Sequence, residues 1–414
     1  MAIYLAGGRG RSEKAPSFRV GMKAESSLKI TIYAKTSYFI QMRKSYRYRI
    51  YPTKPQRSIL NQNLELCRQV YNDTLGLRKA AWEKGDKSIS LYETNSILVT
   101  WKTKRPELKQ VYSQVLQNVQ VRVDLALKAF FRRVKAGEEP GYPRFKGKGR
   151  YDSITYKQFG VEIKDGKLHL AKIGDIKIKI HRPIEGDIKT CTLRRSTTGK
   201  WFACFSVEIE DAPLPPWKEG SVVGIDAGLE SFATFSNGEK IANPRFFRVE
   251  EKALAKAQRK LSKAPRGSSE RKKAKWVVER IHERIANRRN DFANQVSRVL
   301  VDRFGVIVLE DLDIQNMLKN HHLAKSISDV AWNMLVKATE SKAAYAGSKV
   351  VLVDPRNTSK MCSRCGLIVK KDLSERVHSC PECGLSMDRD LNAAINILRL
   401  GMQSLRKGDR SPTL

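Results

Sequence analysis

The sequence predicts a multidomain chain of mixed α+β and α/β class. A barrel-like β module with a helical insertion comes first, and a second module follows, interrupted by a small metal finger. Three observations carry this expectation. Apolar residues recur every three or four positions between 53 and 137, whereas 46–51 and a stretch from about 157 to about 210 alternate as strands do. Past a proline-rich boundary, the runs "SVVGID", "VIVLED" and "KVVLVD" have the composition of buried strands. Two Cys-x-x-Cys pairs then precede a last helix-like run, "DLNAAINIL".

In chain order, residues 1–41 are loosely organised, with short apolar runs broken by Lys and Arg and no signal-peptide layout. They read as an accessory or mis-started extension, and the better-patterned chain begins at Met42. "YRYRIYP" alternates aromatic or aliphatic with basic residues, so it is a strand with one charged face; Pro52 and Pro55 end it. Leu60, Leu64, Cys67, Val70 and Tyr71 then form one helical stripe, with Gly85 as a stop. A second long helix carries Val115, Val119, Val123, Leu127, Phe130 and Val134 and stops at Gly137 and Pro140.

In the next segment Tyr142, Phe145 and Tyr151 interleave with Arg144, Lys146, Lys148 and Arg150. Rings can stack on bases while cations take phosphates, so the composition suits nucleic acid; a basic surface loop with aromatic anchors is the plainer reading. Asp165-Gly166 and Gly199 sit at the tips of two expected hairpins, and strand 46–51 is assigned to the same sheet. "DAPLPPWKEG" (211–220) marks the boundary. Beyond it come the strand ending at Asp226, one or two more strands in "SFATFSNGEKIANPRFF", and a helical hairpin turning near "APRGSS". Residues 251–290 of that hairpin hold 14 Lys/Arg against 4 Asp/Glu, Lys272 and Lys273 among them. The imbalance is too one-sided for pairing within the helices and favours a face turned to nucleic acid. The strand 306–310, a helical segment 323–346, a third apolar strand and the finger follow; 401–414 read as a frayed tail.

Hydrophobic residues make up 41% of the 414, so the chain folds. Its 78 Lys+Arg outnumber 43 Asp+Glu, a formal charge of +35 that no single tail holds. A field that broad attracts a polyanion, nucleic acid first. No long apolar span supports a membrane role. Cys67, Cys191 and Cys204 are scattered among apolar neighbours and read as reduced core residues, which suits a reducing compartment.

The chemistry concentrates in two places. Cys362/Cys365 and Cys380/Cys383 form the knuckles "CSRCG" and "CPECG". Two thiolates three residues apart can face one tetrahedral ion, and the following Gly lets backbone N–H groups turn toward the sulfurs. Four Cys close the shell, so one structural Zn2+ is expected, with His378 left at the surface. Separately, Asp226 and Glu310 end apolar strands, and Asp390 opens the final helix, where it could also be a plain first-turn acid. Two acids at the carboxyl ends of strands of one sheet, with a third from a helix N-terminus, can hold two hard divalent ions roughly 3.5–4 Å apart. Oxygen donors select Mg2+ or Mn2+.

"GIDAG", "VIVLEDL", "CSRCG…CPECG" and "DRDLNAAINIL", in this order and spacing, resemble the RuvC-like half of the TnpB family, transposon-encoded RNA-guided nucleases related to compact type V CRISPR effectors. "RYRIYPTKPQ" and "FFRRVKAGEEPGYPRFKGKGRYDSITY" agree at the front, so the resemblance spans about Met42 to Leu400. It implies a β-barrel wedge domain (42–52 and 138–212), a helical recognition domain (53–137), an RNase H-like (RuvC) nuclease domain (213–361 and 384–400), a zinc ribbon (362–383) and a tail (401–414). It places the catalytic acids at Asp226, Glu310 and Asp390, with Asp388 as competitor for the third place. It further implies Mg2+-dependent cleavage of double-stranded DNA by a cytoplasmic protein, guided by an RNA from the transposon end and acting as a monomer with that RNA. A strand-joining transposase, or an RNA-guided repressor that does not cut, are the competing functions.

Overall fold

A computed structural model describes residues 42–407 apart from 86–87, 158, 210–220, 318, 320–329, 331 and 373–374. The extension 1–41, the proline-rich boundary and the end of the tail lie outside the described residues.

Seven antiparallel strands form the first sheet, in the order β2-β6-β7-β1-β5-β4-β3. They are β1 (Met42–Tyr51), β2 (Ser153–Lys157), β3 (Val161–Lys164), β4 (Lys167–Leu170), β5 (Gly174–Lys179), β6 (Asp187–Arg195) and β7 (Trp201–Ile209). β1 is central, paired with β7 on one side and β5 on the other. Alternate residues of β4, β5 and β7 point inward, and Tyr48, Ile50, Tyr156, Trp201 and Phe205 are fully buried there. The edges curl together: the Tyr156 hydroxyl on β2 donates to Ala171 O just past β4 (3.3 Å). Both expected hairpins are present, with Asp165, Gly166 and Gly199 at positive φ in their turns.

Between β1 and β2 lie α1 (Lys54–Gly85), α2 (Leu91–Lys104), a short 3-10 turn and α3 (Ser113–Lys135). The anticipated α1 stripe is buried, as are Val115, Val119, Val123 and Leu127 of α3, while Phe130 and Val134 reach the rim. Helix α2 was not anticipated. Only Thr94 and Leu98 of it are buried, so it has no apolar stripe. Its start was nevertheless legible: Ser90 Oγ accepts from Glu93 N and Glu93 reaches back to Ser90 N, a capping box.

The second sheet runs β10-β9-β8-β11-β12, with β8 (Ser221–Asp226), β9 (Ser231–Phe235), β10 (Lys240–Ala242), β11 (Phe304–Glu310) and β12 (Lys349–Val353). β8, β11 and β12 are parallel; β9 and β10 are antiparallel. Every residue of β11 is buried, as a strand covered on both faces must be. The long helix α5 (Ser269–Arg303) and the helix Trp332–Ala346 cover one face through Val296, Leu300, Trp332 and Leu335. The C-terminal helix Arg389–Lys407 covers the other. α5 follows α4 (Phe246–Lys263) in the expected hairpin and is N-capped by Ser268. The two sheets are joined where Glu283 of α5 accepts from Thr198 and Lys200, both 2.9 Å.

The C-terminal helix touches the sheet backbone to backbone. A Cβ at Gly224 would occupy the space held by Ala394 O, Leu398 N and Leu398 Cβ, and one at Gly401 would meet the Val308 side chain. Residues 401–407, expected to fray, therefore continue this helix, with Met402 and Leu405 packed against its apolar cluster. Gly224→Ala should destabilise the protein by about 1–3 kcal/mol or more in denaturant unfolding, because backbone cannot move aside. Gly141→Ala, which meets open space, should have little effect.

Candidate active site and metal centre

Cys362, Cys365, Cys380 and Cys383 bring their sulfurs within 4.8 Å of one another. Cys362 Sγ lies 3.6 Å from Cys383 Sγ, and Cys365 Sγ 3.5 Å from Cys380 Sγ. Four sulfurs about 2.3 Å from one zinc would stand roughly 3.8 Å apart, so the cluster fits a tetrahedral ion. The two knuckles repeat one geometry. Gly366 N donates to Cys362 O and Cys362 N to Leu367 O; Gly384 N donates to Cys380 O and Cys380 N to Leu385 O. Both glycines have positive φ, which explains their place after each pair. Burial opposes ionisation of the Cys362 thiol, but the N–H groups of Cys365 and Arg364, with His378 and Cys383 beside them, hold it down at about 5. His378 is a correction to the sequence reading: it is 0% exposed, packed beside Cys362 on the strand Val377–Ser379. Strand alternation turns it inward while Val377 and Ser379 face out.

The acids lie on other elements: two strands of the second sheet and the last helix. Asp226 and Glu310 end β8 and β11, and the register pairing Ile225 with Leu309 sets them side by side. Asp390 is the first-turn acid of the C-terminal helix, and its Oδ2 is 3.9 Å from where a Cβ of Gly228 would be. Burial pushes the Asp226 carboxyl far above the usual carboxylate range, and the charges of Glu310 and Asp390 push it further. Glu310, 8% exposed, rises from 4.5 to about 7, chiefly by burial, against a hydrogen bond from Thr358 Oγ1 (2.8 Å). The charges of both other acids act on Asp226, and a cation among them would offset that. Arg389 occupies part of that role, donating to Asp390 Oδ1 at 3.2 Å.

Asp388 is used differently. Its Oδ1 accepts from the N–H groups of Asp390 and Leu391 (both 2.9 Å), and its Oδ2 takes Lys240 (2.8 Å). Burial opposes its charge, but these donors outweigh it and lower its pKa. Asp388 caps the helix, and Asp390 weighs more heavily than Asp388 on the charge at Asp226.

Of the nucleic-acid candidates, Arg144, Lys148 and Arg150 are exposed on a segment without regular structure. Asn72 of α1 clamps it, accepting from Lys146 N (2.8 Å) and donating to Lys146 O (3.0 Å). Tyr142 stacks edge-on with Phe130 and remains partly exposed. Tyr151 is buried in the core beside Tyr71, so it is a structural anchor and offers no open face. Lys272 and Lys273 are exposed in the first turns of α5, apart from the acids in the chain and on a different element.

Comparison with known proteins follows the same lines. Family models match at 204–321 ("Probable transposase"), 332–397 ("Cas12f1-like, TNB domain") and 42–87 ("Helix-turn-helix domain"). The last segment here is β1 plus one long helix. A Streptomyces pristinaespiralis protein named "Putative RNA-guided DNA endonuclease" is 38% identical over 377 residues, 89% of this chain and 92% of that one. The chain belongs to the TnpB family. InsQ of Escherichia coli (strain K12), which carries the same description, is 31% identical across 88% of this TnpB-family chain and 94% of its own. A TnpB-like protein of Acanthamoeba polyphaga mimivirus is 26% identical, covering 89% and 75%. In fold, the chain resembles the protein of a Cas12f1-sgRNA-target DNA complex, with TM-score 0.55 and 14% identity over 86% of this chain and 98% of that one. Among the described residues no helix is long and apolar enough to cross a membrane.

Two outcomes follow from the geometry. Cys380→Ser should lower zinc content and melting temperature together, read by metal analysis and calorimetry. Glu310 keeps its proton in the folded state up to about pH 7 but ionises near 4.5 when unfolded, so metal-free stability falls as pH rises through that window. Glu310→Gln removes the penalty: it should be more stable than wild type by up to roughly 3 kcal/mol at pH 8, with the difference vanishing near pH 4.5.

Proposed function

We propose that the protein is a metal-dependent, RNA-guided endonuclease of double-stranded DNA, with Asp226, Glu310 and Asp390 as its catalytic acids. The observation that carries this reading is the convergence of these three acids from two parallel strand ends and a helix start. The family membership and the chain's +35 charge support it. Base pairing with the guide would read the target while the protein holds backbones and a short flanking motif, which suits cations spread over many elements.

Asp226, which feels the charges of both other acids, would contribute to both of two divalent-ion positions, with Glu310 and Asp390 completing one each. Mg2+ or Mn2+ bound there would supply an activated water and charge stabilisation at the leaving 3′ oxygen. The chain's own part is positional. Burial keeps Glu310 out of bulk water, Thr358 holds one of its oxygens, and the cap at Asp388 fixes the turn that aims Asp390. Arg389 would release Asp390 to the cation. No covalent enzyme intermediate is involved. The four cysteines would hold one structural Zn2+, closed to substrate. We assign guide and target contacts to Tyr142, Arg144, Lys146, Lys148 and Arg150 and to Lys272 and Lys273, and retain the domain limits given by the resemblance except that the last helix of the nuclease domain runs on to Lys407.

A repressor that binds without cutting would need a broken acid set, and all three acids are present in the sequence. Purified protein with its co-purified RNA, a matching duplex and Mg2+ should therefore give cleavage without strand joining. Asp226→Ala should keep RNA and DNA binding but lose roughly 10³-fold or more in cleavage, the equivalent of several kcal/mol of metal-borne stabilisation. Normal cleavage by that variant would remove the acids from the mechanism.

A further inference from the structure

The finger and the acid cleft share no ligand, yet one run of hydrogen bonds joins them. Asn392 and Asn396 are fully buried one turn apart on the helix that carries Asp390. Asn392 grips both sides of Cys362: its Nδ2 donates to Met361 O (2.8 Å) and its Oδ1 accepts from Ser363 N (2.9 Å). Asn396 Nδ2 donates to Met361 O (2.6 Å) and to Thr358 O (2.9 Å). Thr358 is buried in turn, and its hydroxyl lies 2.8 Å from Glu310 Oε1 and 3.0 Å from Pro355 O. The run starts beside a zinc-type thiolate and ends on a carboxylate of the acid cleft.

Two asparagines in the interior of a helix are poor helix formers, and burying their amides costs more unless tertiary partners are met. Here they make four hydrogen bonds, all but one to the two residues flanking Cys362 and the last to Thr358. A buried carboxylate oriented by a fixed donor needs less reordering when a cation arrives, which is how partners behind a metal ligand raise its affinity.

We propose that Thr358 is a positioning residue for Glu310, and that Asn392 and Asn396 tie its placement to the folded Cys362 knuckle. An intact zinc finger thereby strengthens divalent-cation binding in the acid cleft. This rests on the reading that the acids hold Mg2+ or Mn2+. A Thr358 that only shaped its turn would affect stability and leave cation affinity in the folded protein unchanged.

The test is a calorimetric Mn2+ titration of the full chain with its RNA, taking as the cleft signal what Asp226→Ala removes. Thr358→Val should weaken that signal roughly 10–100-fold, with zinc content and melting temperature close to wild type. Thr358→Ser, which keeps the hydroxyl, should restore it to within a few-fold. Asn396→Leu, which touches neither Glu310 nor a cysteine, should keep its zinc and show the same weakening. The Mg2+ concentration for half-maximal cleavage should rise in parallel. If Thr358→Val and Asn396→Leu hold their zinc and bind Mn2+ as wild type does, the relay is overturned; should Thr358→Val not fold, Asn396→Leu decides in the same way. If Asp226→Ala removes no Mn2+ from wild type, it is the underlying cation site that fails.

Discussion

One contact sets the geometry of the second module: the backbone of the C-terminal helix lies against Gly224 of β8, with no side chain between them. Helix axes pack at distances set by the side chains in the contact. Removing the side chain at Gly224 therefore brings the helix closer than an ordinary helix-on-sheet layer allows. That approach sets the first helical turn beside the ends of β8 and β11, where Asp226 and Glu310 emerge. It also brings Asn392 and Asn396 within reach of the loop leading into the zinc knuckle. Gly401 extends the same contact onto Val308, so the helix is held along its length.

The cleft that results is costly. Burial disfavours ionised Asp226 and Glu310, and the neighbouring acids add to it at Asp226, so folding works against the charged form of both groups. The surrounding sheet offsets that cost. β11 is buried on both faces, and apolar clusters above and below it include Ile307, Leu309, Val308 and Ile397. Hydrophobic burial holds together what electrostatics alone would push apart.

The basic excess is distributed by a different logic. Buried or half-buried acids take specific partners: Glu250 receives Arg284 and Arg288, Asp124 receives Arg78 and Lys128, and Glu208 receives Arg43 and Lys189. Except for Asp124–Lys128, which lies within α3, these pairs join elements of the fold. The exposed remainder includes the segment clamped by Asn72 and the first turns of α5. Such cations contribute little to stability but shape the field that a phosphate backbone meets.

Much of this was legible in the residues themselves. Cysteine spacing with following glycines determined the metal finger, because four thiolates and two sharp turns leave few other uses. Strand alternation, Asp165-Gly166 and the helical stripes of α1 and α3 determined most of the two modules, because their periods differ by construction. Helix α2 escaped because a helix with two buried residues has no stripe, although its capping box was written plainly at Ser90 and Glu93. What tertiary structure alone decided were matters of direction and depth. Tyr151, which the sequence leaves open between a stacking ring and an anchor, is a core residue in the fold, and His378 is buried where a surface residue was expected. Asp388 and Asp390, two positions apart, separate into a helix cap and the stronger charge on Asp226 only when the helix start is placed beside β8. Sequence spacing specifies which groups are near one another along the chain, whereas packing specifies which of them lose water and which face each other.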